Sequence, residues 1–304
     1  MSGPKKSSMR TNFDANGIIL MGGTCRLVEL ETKNVSCMPT PSTIRAQAAS
    51  AVDWNKRYVF VFGGIRMLPS PHTLERFDIS DITSREIECF DIESKTWIPV
   101  ETRLPIPISR ASAVAVRDGK ILICGGYDKY TGYLTACMEF DTSTHEVSVL
   151  PRIWIARASH AIVNYRGRVI IIGGVDGTDK QIDECEQYTP SINQWDFFAP
   201  IAPPYDWREC DATVCDDRIF VCSRRVNQGI YLMYDGTAWR HIMSPRWTSS
   251  SPVSIYTIFI WLGRACAIDL NRNEMATYYT EEKKWIISPF NLYISTTDVM
   301  FIVF

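Results

Sequence analysis

The hydrophobic positions of this chain fall into short runs that end on paired glycines. In residues 157–174, a half-apolar run that starts at Arg157 reaches a turn at Arg166-Gly167, and the apolar stretch Val169–Ile172 then ends on Gly173-Gly174. The β-branched residues and the turn predict one strand, a tight hairpin and a second strand. The second run has no polar alternation, which predicts burial on both of its faces.

The same pattern recurs along the chain. Residues 45–64 and 110–126 repeat it with an intact glycine pair, 208–224 and 246–263 repeat it in degenerate form, and 18–23 contains only the second run. The glycine pairs or their equivalents begin at positions 22, 63, 125, 173, 223 and 263, with a mean spacing of about 48. A period of this size predicts a repeat architecture in which each unit is completed by its neighbours.

Each repeat continues with an aromatic strand, which in most repeats is followed by a tryptophan. The pairs are Phe90 with Trp97, Tyr188 with Trp195, Tyr234 with Trp239 and Tyr278 with Trp285. The third repeat keeps Phe140 but has Val147 at the tryptophan position. Each repeat therefore predicts four strands, and we expect the aromatic side chains to pack between neighbouring units.

The recurring elements are an arginine, a glycine pair some fifteen to eighteen residues later, Tyr or Phe with Asp, and then Trp. Their combination resembles the kelch β-propeller family over residues 14–304. The resemblance implies an all-β fold, a six-bladed kelch β-propeller of four-stranded antiparallel blades. The expected blades span residues 14–44, 45–108, 109–156, 157–207, 208–245 and 246–293.

The two ends of the chain complete this prediction. The first repeat lacks its first strand, and residues 294–304 have the small, polar and then β-branched character to supply it. A ring closed by a C-terminal strand in blade one leaves no open sheet edge, and propellers of the BTB-Kelch type close in this way. Residues 1–13 are expected to be a disordered tail or a linker remnant.

Composition excludes several classes of protein. A net charge of −2 and 22% charged residues give no basic field that would attract nucleic acid. Ten cysteines without a CxxC motif and four scattered histidines predict no metal site and no cofactor. The polar N-terminus and the lack of a long apolar run predict no signal peptide and no membrane association, so we expect a cytoplasmic or nuclear protein with free thiols.

The candidate site is the face that carries the loops entering the first strands and the loops after the glycine pairs. The repeat arginines would form a partial ring there, namely Arg45, Arg110, Arg157, Arg208 and Arg246. Guanidinium groups in a concave mouth suit carboxylates. The resemblance to BTB-Kelch adaptors implies that these arginines hold acidic peptide segments, most directly at Arg110 and Arg157. The alternative is that each arginine bonds loop carbonyls of its own blade.

Aromatic residues are the second part of this candidate site. Tyr127, Tyr130 and Tyr133 follow the third glycine pair, and we expect at least one to be exposed for binding. Trp154 and Trp207 lie beside repeat arginines, which is the composition of an interface hot spot. The alternatives are that the tyrosines pack on the next blade and that the tryptophans cap the blade cores.

Blade two is longer than the others because of extra residues at 65–86. Their prolines and polar run predict a long loop, although Thr73 to Ile79 could form an extra strand. Such a loop on a rigid scaffold could bind a partner, or it could be a tolerated surface insertion.

The predicted function is protein–protein interaction. The chain is expected to act as a substrate-recognition propeller resembling that of cullin-type ubiquitin-ligase adaptors, and to bind a polar or acidic peptide. Ligase components are partners only if a BTB domain exists elsewhere. A free-standing kelch scaffold or an actin-binding protein is the alternative. From another class, a small-sugar epimerase or mutarotase acting in the propeller mouth stays open, although no GxSxG, P-loop or HExxH motif is present.

Overall fold

The computed structural model describes residues 17–21, 25–32, 34–69, 77–201, 205–224, 231–247, 256–269, 272, 274–289 and 300–303. Within these residues the regular secondary structure is β-strand, apart from one short 3₁₀ helix at Pro190–Ile192. The tail expected at 1–13 lies outside the described residues.

The strands follow one another through the chain with short connections. In the first half they are β1 Gly17–Met21, β2 Cys25–Glu29, β3 Val35–Met38, β4 Arg45–Ala46, β5 Ala49–Val52, β6 Tyr58–Phe62, β7 Ile65–Pro69, β8 Phe77–Thr83, β9 Glu86–Asp91, β10 Thr96–Arg103, β11 Ser112–Val116, β12 Lys120–Cys124, β13 Tyr127–Asp128, β14 Gly132–Tyr133, β15 Cys137–Asp141 and β16 Val147–Leu150. In the second half they are β17 Ala161–Tyr165, β18 Arg168–Ile172, β19 Cys185–Thr189, β20 Gln194–Phe198, β21 Cys210–Cys215, β22 Arg218–Ser223, β23 Tyr231–Tyr234, β24 Trp239–Ile242, β25 Tyr256–Trp261, β26 Arg264–Asp269, β27 Glu274–Tyr279, β28 Lys284–Pro289 and β29 Met300–Val303.

These strands form a β-propeller. The described residues contain six four-stranded antiparallel sheets, in the orders β29-β1-β2-β3, β5-β6-β9-β10, β11-β12-β15-β16, β17-β18-β19-β20, β21-β22-β23-β24 and β25-β26-β27-β28. We refer to these sheets as blades one to six. The inner strands β5, β11, β17, β21 and β25 pack against one another in chain order, and β29 packs against β5. The all-β propeller predicted from the sequence is therefore confirmed.

The C-terminal strand completes blade one, as predicted. β29 pairs antiparallel with β1, from Ile18 opposite Val303 to Met21 opposite Met300. Since β1 pairs on its other side with β2, the two ends of the chain share one sheet. This pairing covers an edge of β1 that would otherwise expose its backbone groups.

The core lies between blades, in layers built from the second and third strands. Val169, Ile170, Ile171 and Ile172 of β18 are all fully buried, which confirms the prediction for this apolar run. The two glycines that follow are required because backbone atoms of neighbouring segments lie close to them. Gly173 and Gly174 have φ of 66° and 95°, and an added Cβ would lie 2.9 Å and 2.7 Å from carbonyl oxygens of neighbouring segments.

In blades two, four and five, the tryptophan at the start of the fourth strand joins the blade to the one before it. The indole nitrogens of Trp97, Trp195 and Trp239 donate to the carbonyls of Pro39, Pro151 and Ala199 at 2.9, 2.9 and 2.8 Å. Each ring also packs on the aromatic residue of the third strand at about 5 Å. The expected packing between units is confirmed. In blade three, where Val147 replaces the tryptophan, His145 stacks on Phe140 instead.

The extra residues of blade two form a hairpin rather than a long loop. β7 and β8 pair with each other, and the short strand β4 pairs with β7. The expectation of a long loop is wrong, because residues 65–69 and 77–83 satisfy their backbone groups by pairing. The alternative of an extra strand is correct, with bounds Phe77–Thr83 rather than Thr73 to Ile79. Residues 70–76 lie outside the described part.

One pair of cysteines meets across two neighbouring strands. Cys124 of β12 and Cys137 of β15 stand directly opposite each other, and their sulfur atoms are in contact. The strand register brings together two cysteines that are 13 residues apart. Of the other eight cysteines, seven are buried, as expected for small apolar side chains.

A chain that ends at residue 299 should be less stable, because it lacks β29 and exposes the edge of β1. At roughly 1 kcal/mol for each lost backbone hydrogen bond, the free energy of unfolding should fall by about 2–4 kcal/mol. Urea denaturation of both chains measures this change. A peptide of residues 294–304 added in trans should restore part of the loss, and an unchanged urea midpoint would contradict the closure.

Candidate functional site

Two of the repeat arginines are structural. Arg157 is fully buried and donates to the carbonyl oxygens of Gly173 and Glu184, both at 2.9 Å, and to the Glu186 carboxylate at 2.8 Å. Arg45 repeats this arrangement in blade two, where it bonds the carbonyls of Gly63 and Glu86 and the carboxylate of Glu88. These side chains cannot reach a partner, so the expectation that Arg45 and Arg157 are contact residues is wrong, and the structural alternative is correct.

The carboxylate of each ion pair also holds the loop that enters its blade. Glu186 accepts hydrogen bonds from the backbone N–H groups of Trp154 and Ile155, at 2.7 and 3.2 Å. Glu88 likewise accepts from the hydroxyl of Ser42 and the N–H of Thr43. One buried pair therefore connects the entering loop, the end of the second strand and the third strand of a blade.

Arg110 does not occupy the position of Arg45 and Arg157, although its flanking sequence matches theirs. The N–H group of the second glycine in each pair donates to a backbone carbonyl at the start of the next blade. The residues that supply these carbonyls therefore occupy equivalent positions in their blades. They are Ile108 for Gly64, Arg157 for Gly126 and Trp207 for Gly174. Blade three thus has Ile108 where blade four has its buried arginine, and Arg110 lies two residues further along.

The position of Arg110 is part of a series of backbone hydrogen bonds that connects blades two to five at the channel mouth. Gln47, Arg110 and Ser159 share φ values of 55°, 54° and 57°, in the left-handed region. Arg110 N–H donates to Gln47 O and Ser159 N–H to Arg110 O, both at 2.8 Å, and Cys210 N–H donates to Ser159 O at 3.3 Å. The left-handed conformation lets the residues just before β5, β11 and β17 form hydrogen bonds from one blade to the next. At Arg110 it directs the side chain to the mouth.

The mouth opens into a channel with a cavity volume of about 720 Å³, lined by the inner strands of blades two to six. At its rim the Arg110 guanidinium donates to the Ser159 hydroxyl at 3.1 Å and lies 3.9 Å from the Glu209 carboxylate. The Arg110 side chain is about 30% exposed. Of the predicted arginines, it is the one that the structure places on the channel.

The remaining predicted residues beside blade five divide between interior and surface. Trp207 is fully buried in the core between blades four and five, so the expectation that it contacts a partner is wrong. Its position is that of the buried arginine in blade four, which explains its burial. Arg208 is about one-third exposed and pairs with Asp206 at 2.7 Å and Asp179 at 3.5 Å. Arg246 is exposed.

Tyr130 is the exposed tyrosine of the three. Tyr127 and Tyr133 pair across the short hairpin β13–β14 with ring centroids 5.4 Å apart, and both are partly buried. Tyr130, at the tip, is 84% exposed. The buried Asp128 carboxylate accepts from the N–H groups of Tyr130 and Thr131, so the backbone beneath the exposed ring is held in place.

Trp154 is also exposed, at 59%, and it packs edge-to-face against Phe197 with ring centroids 4.8 Å apart. Its backbone is held by Glu186, as described above. The segment that carries it bonds the end of the Tyr130 loop, from Ile153 N to Thr135 O at 3.0 Å. Phe197 was not among the predicted residues, although its position two residues after Trp195 places it on the same side of β20.

His160 lines the channel wall and is held neutral. It is buried, and burial, followed by the nearby Arg157 charge, lowers its pKa from 6.5 to about 3. Within the described ranges no cluster of three His, Cys, Asp or Glu residues is suited to a metal ion. No helix in that same part of the chain is long and apolar enough to cross a membrane.

Four-stranded antiparallel sheets arranged around a channel define the class of repeat β-propellers. The sequence model of the KLHDC2/KLHL20/DRC7 Kelch-repeats domain matches residues 23–223. The chain therefore belongs to the kelch-repeat family, as its resemblance to that family implied.

Several known proteins are similar to this chain. It is 24% identical to F-box/kelch-repeat protein At1g67480 of Arabidopsis thaliana, over 60% of the chain and 49% of that protein. It is 27% identical to Kelch repeat and BTB domain-containing protein 1 of Camelpox virus (strain CMS), over 48% of the chain and 26% of that protein. The matched segments thus span about half or less of these relatives. The solved structure of YjhT covers 90% of this chain and is itself 97% covered, with a TM-score of 0.64 and 13% identity, which shows the fold alone.

Removing either partner of the buried ion pair should destabilise the protein strongly. Arg157→Ala leaves the Glu186 carboxylate buried without its counter-charge, which costs about 3–5 kcal/mol of unfolding free energy. Replacing both residues, as in Arg157→Met with Glu186→Leu, should still cost about 2 kcal/mol or more because two carbonyls lose their donor. Urea denaturation measures both. Arg168→Ala, at an exposed position of the same blade, is the control and should change stability by less than about 0.5 kcal/mol.

Stability should fall as the pH drops from 7 to 5 because of His160. Its pKa is lowered in the folded state, so the unfolded chain binds a proton below about pH 6.5 that the folded chain does not bind until about pH 3. The free energy of unfolding should therefore fall by about 2 kcal/mol between pH 7 and pH 5. His160→Phe should remove most of this decrease in urea denaturation. An equal decrease in the variant would show that other groups cause it.

Proposed function

We propose that this chain binds proteins through the loop face of blades three and four, with Tyr130 and Trp154 as its main contacts. The proposal is supported by one recurring arrangement. Both aromatic rings are more than half exposed, and both stand on backbone held by a buried carboxylate, Asp128 or Glu186. A rigid aromatic anchor loses little conformational entropy on binding, which is why such residues dominate interface energies.

A polar region next to these anchors would orient the bound segment. Arg110 at the channel mouth and Arg208 on the neighbouring loop remain accessible in part. Each lies beside a carboxylate, which reduces its positive potential. We therefore favour a segment that offers polar groups at the mouth over one that depends on acidic side chains there.

We further propose that the chain supplies the recognition part of a larger assembly. The two curated relatives combine kelch repeats with an F-box or a BTB domain in their names, which is consistent with a substrate-recognition role. Four further points stay predictions from the sequence. They are a role beside cullin-type ligases, a role as a free-standing scaffold, actin binding and a cytoplasmic location. The epimerase alternative also stays untested. A wide face with exposed aromatics is the feature that we expect of a binder rather than of an enzyme.

Capture of proteins from cell lysate tests the anchors. The immobilised wild-type chain should retain a discrete set of proteins, and Tyr130→Ala with Trp154→Ala should lower their recovery by about tenfold or more, as expected for hot-spot residues. Ile192→Ala is the matched control, because Ile192 is exposed to 61% on the turn at the opposite face. Equal recovery by all three chains would contradict the proposed face.

A further inference from the structure

An exposed aromatic pair lies at the seam between blades three and four. Trp154 and Phe197 are 59% and 46% exposed, and their ring planes meet at 69°. An edge-to-face pair leaves at least one aromatic face uncovered. That face carries partial negative charge, so it attracts a cation as well as an apolar group.

The fold itself creates this pair. Trp195 and Phe197 point to the same side of β20, because they are two residues apart. The Trp195 indole donates to Pro151 O at 2.9 Å, so this side of blade four faces the segment 151–157 that carries Trp154. The pair is therefore held by the contact between blades and does not depend on a mobile loop.

The surrounding loops of blade four are acidic, which bears on what the pair could bind. Residues 173–184 contain four carboxylates and one lysine, and residues 199–209 contain two carboxylates and one arginine, which gives a net charge of −4. The corresponding loop of blade three, at 125–136, has one aspartate and one lysine and is neutral. The negative charge is thus concentrated on the blade that supplies Phe197.

One exposed carboxylate belongs to a residue whose backbone bonds the segment that carries Trp154. Phe197 stands opposite Glu186 in the β19–β20 ladder, so both side chains lie on the same side of the sheet. Glu184 lies two residues before Glu186, and its carbonyl oxygen accepts from the Arg157 guanidinium, on the segment that carries Trp154. The charge of Glu186 is neutralised by Arg157, whereas Glu184 is exposed. The exposed Arg152, on the segment next to Trp154, is the opposing charge nearby in sequence.

We propose that the Trp154–Phe197 pair receives a lysine or arginine side chain from a basic segment of the partner, with Glu184 as its counter-charge. This inference rests on the proposed protein-binding function and specifies the chemistry of the partner. A cation over an aromatic ring and a charge-assisted hydrogen bond to one carboxylate reinforce each other. The negative loops of blade four would also speed the encounter with a basic segment.

Fluorescence polarisation with two labelled nonapeptides tests the charge preference. The peptides differ only at four positions, which are Lys and Arg in one and Glu and Asp in the other. The full chain at low salt should bind the basic peptide about tenfold or more tightly than the acidic one, and added salt should weaken binding. Trp154→Ala and Glu184→Gln should each weaken it about five- to tenfold.

Glu281→Gln is the matched control, because Glu281 is exposed on a turn at the opposite face, and it should leave the affinity unchanged. Arg152→Gln should strengthen binding about twofold by removing the opposing charge. Equal affinity for the two peptides, a preference for the acidic one, or unchanged binding by the Trp154 and Glu184 variants would overturn the inference. If these results occur while the Tyr130 and Trp154 variant still loses its lysate proteins, the protein-binding function stands and only the basic partner is rejected.

Discussion

The buried ion pair between Arg157 and Glu186 constrains three parts of blade four at once. The guanidinium bonds the carbonyl at the end of the second strand and the carbonyl that precedes the third strand, while the carboxylate holds the loop that enters the blade. Two charges away from water need close pairing and further hydrogen bonds to be stable, so the surrounding backbone has little freedom to move. Blade two repeats the arrangement with Arg45 and Glu88.

This constraint explains how an exposed tryptophan can be a rigid one. The loop that contains Trp154 is held from beneath by Glu186, and its ring rests on Phe197 of the next blade. Tyr130 has the same support from Asp128 in the neighbouring loop. The interactions that hold the fold together therefore also organise the loop face in advance, and the proposed binding there would require little further ordering.

The electrostatic character of that face follows from which charges are already satisfied. Arginines that look available in the sequence are used internally at two positions and lie beside carboxylates at two others. What remains on blade four is an excess of carboxylates next to two exposed aromatic rings. A repeated arginine is thus a poor guide to surface charge in this propeller, because Arg45 and Arg157 are buried and hold their own blades.

The sequence by itself determined the repeat, most of the strands, the strand character of the C-terminal residues and the residues between blades, because each is encoded locally. Strand periodicity, paired glycines and the spacing from Tyr or Phe to Trp are properties of neighbouring residues. Only the tertiary structure decided which side chains reach solvent. Trp154 and Trp207 look alike in sequence, yet one is exposed and the other is fully buried. Arg110 matches Arg157 in its flanking residues but lies two positions away in the fold. These outcomes depend on contacts with the next blade, some 50 residues distant, and no local pattern records them.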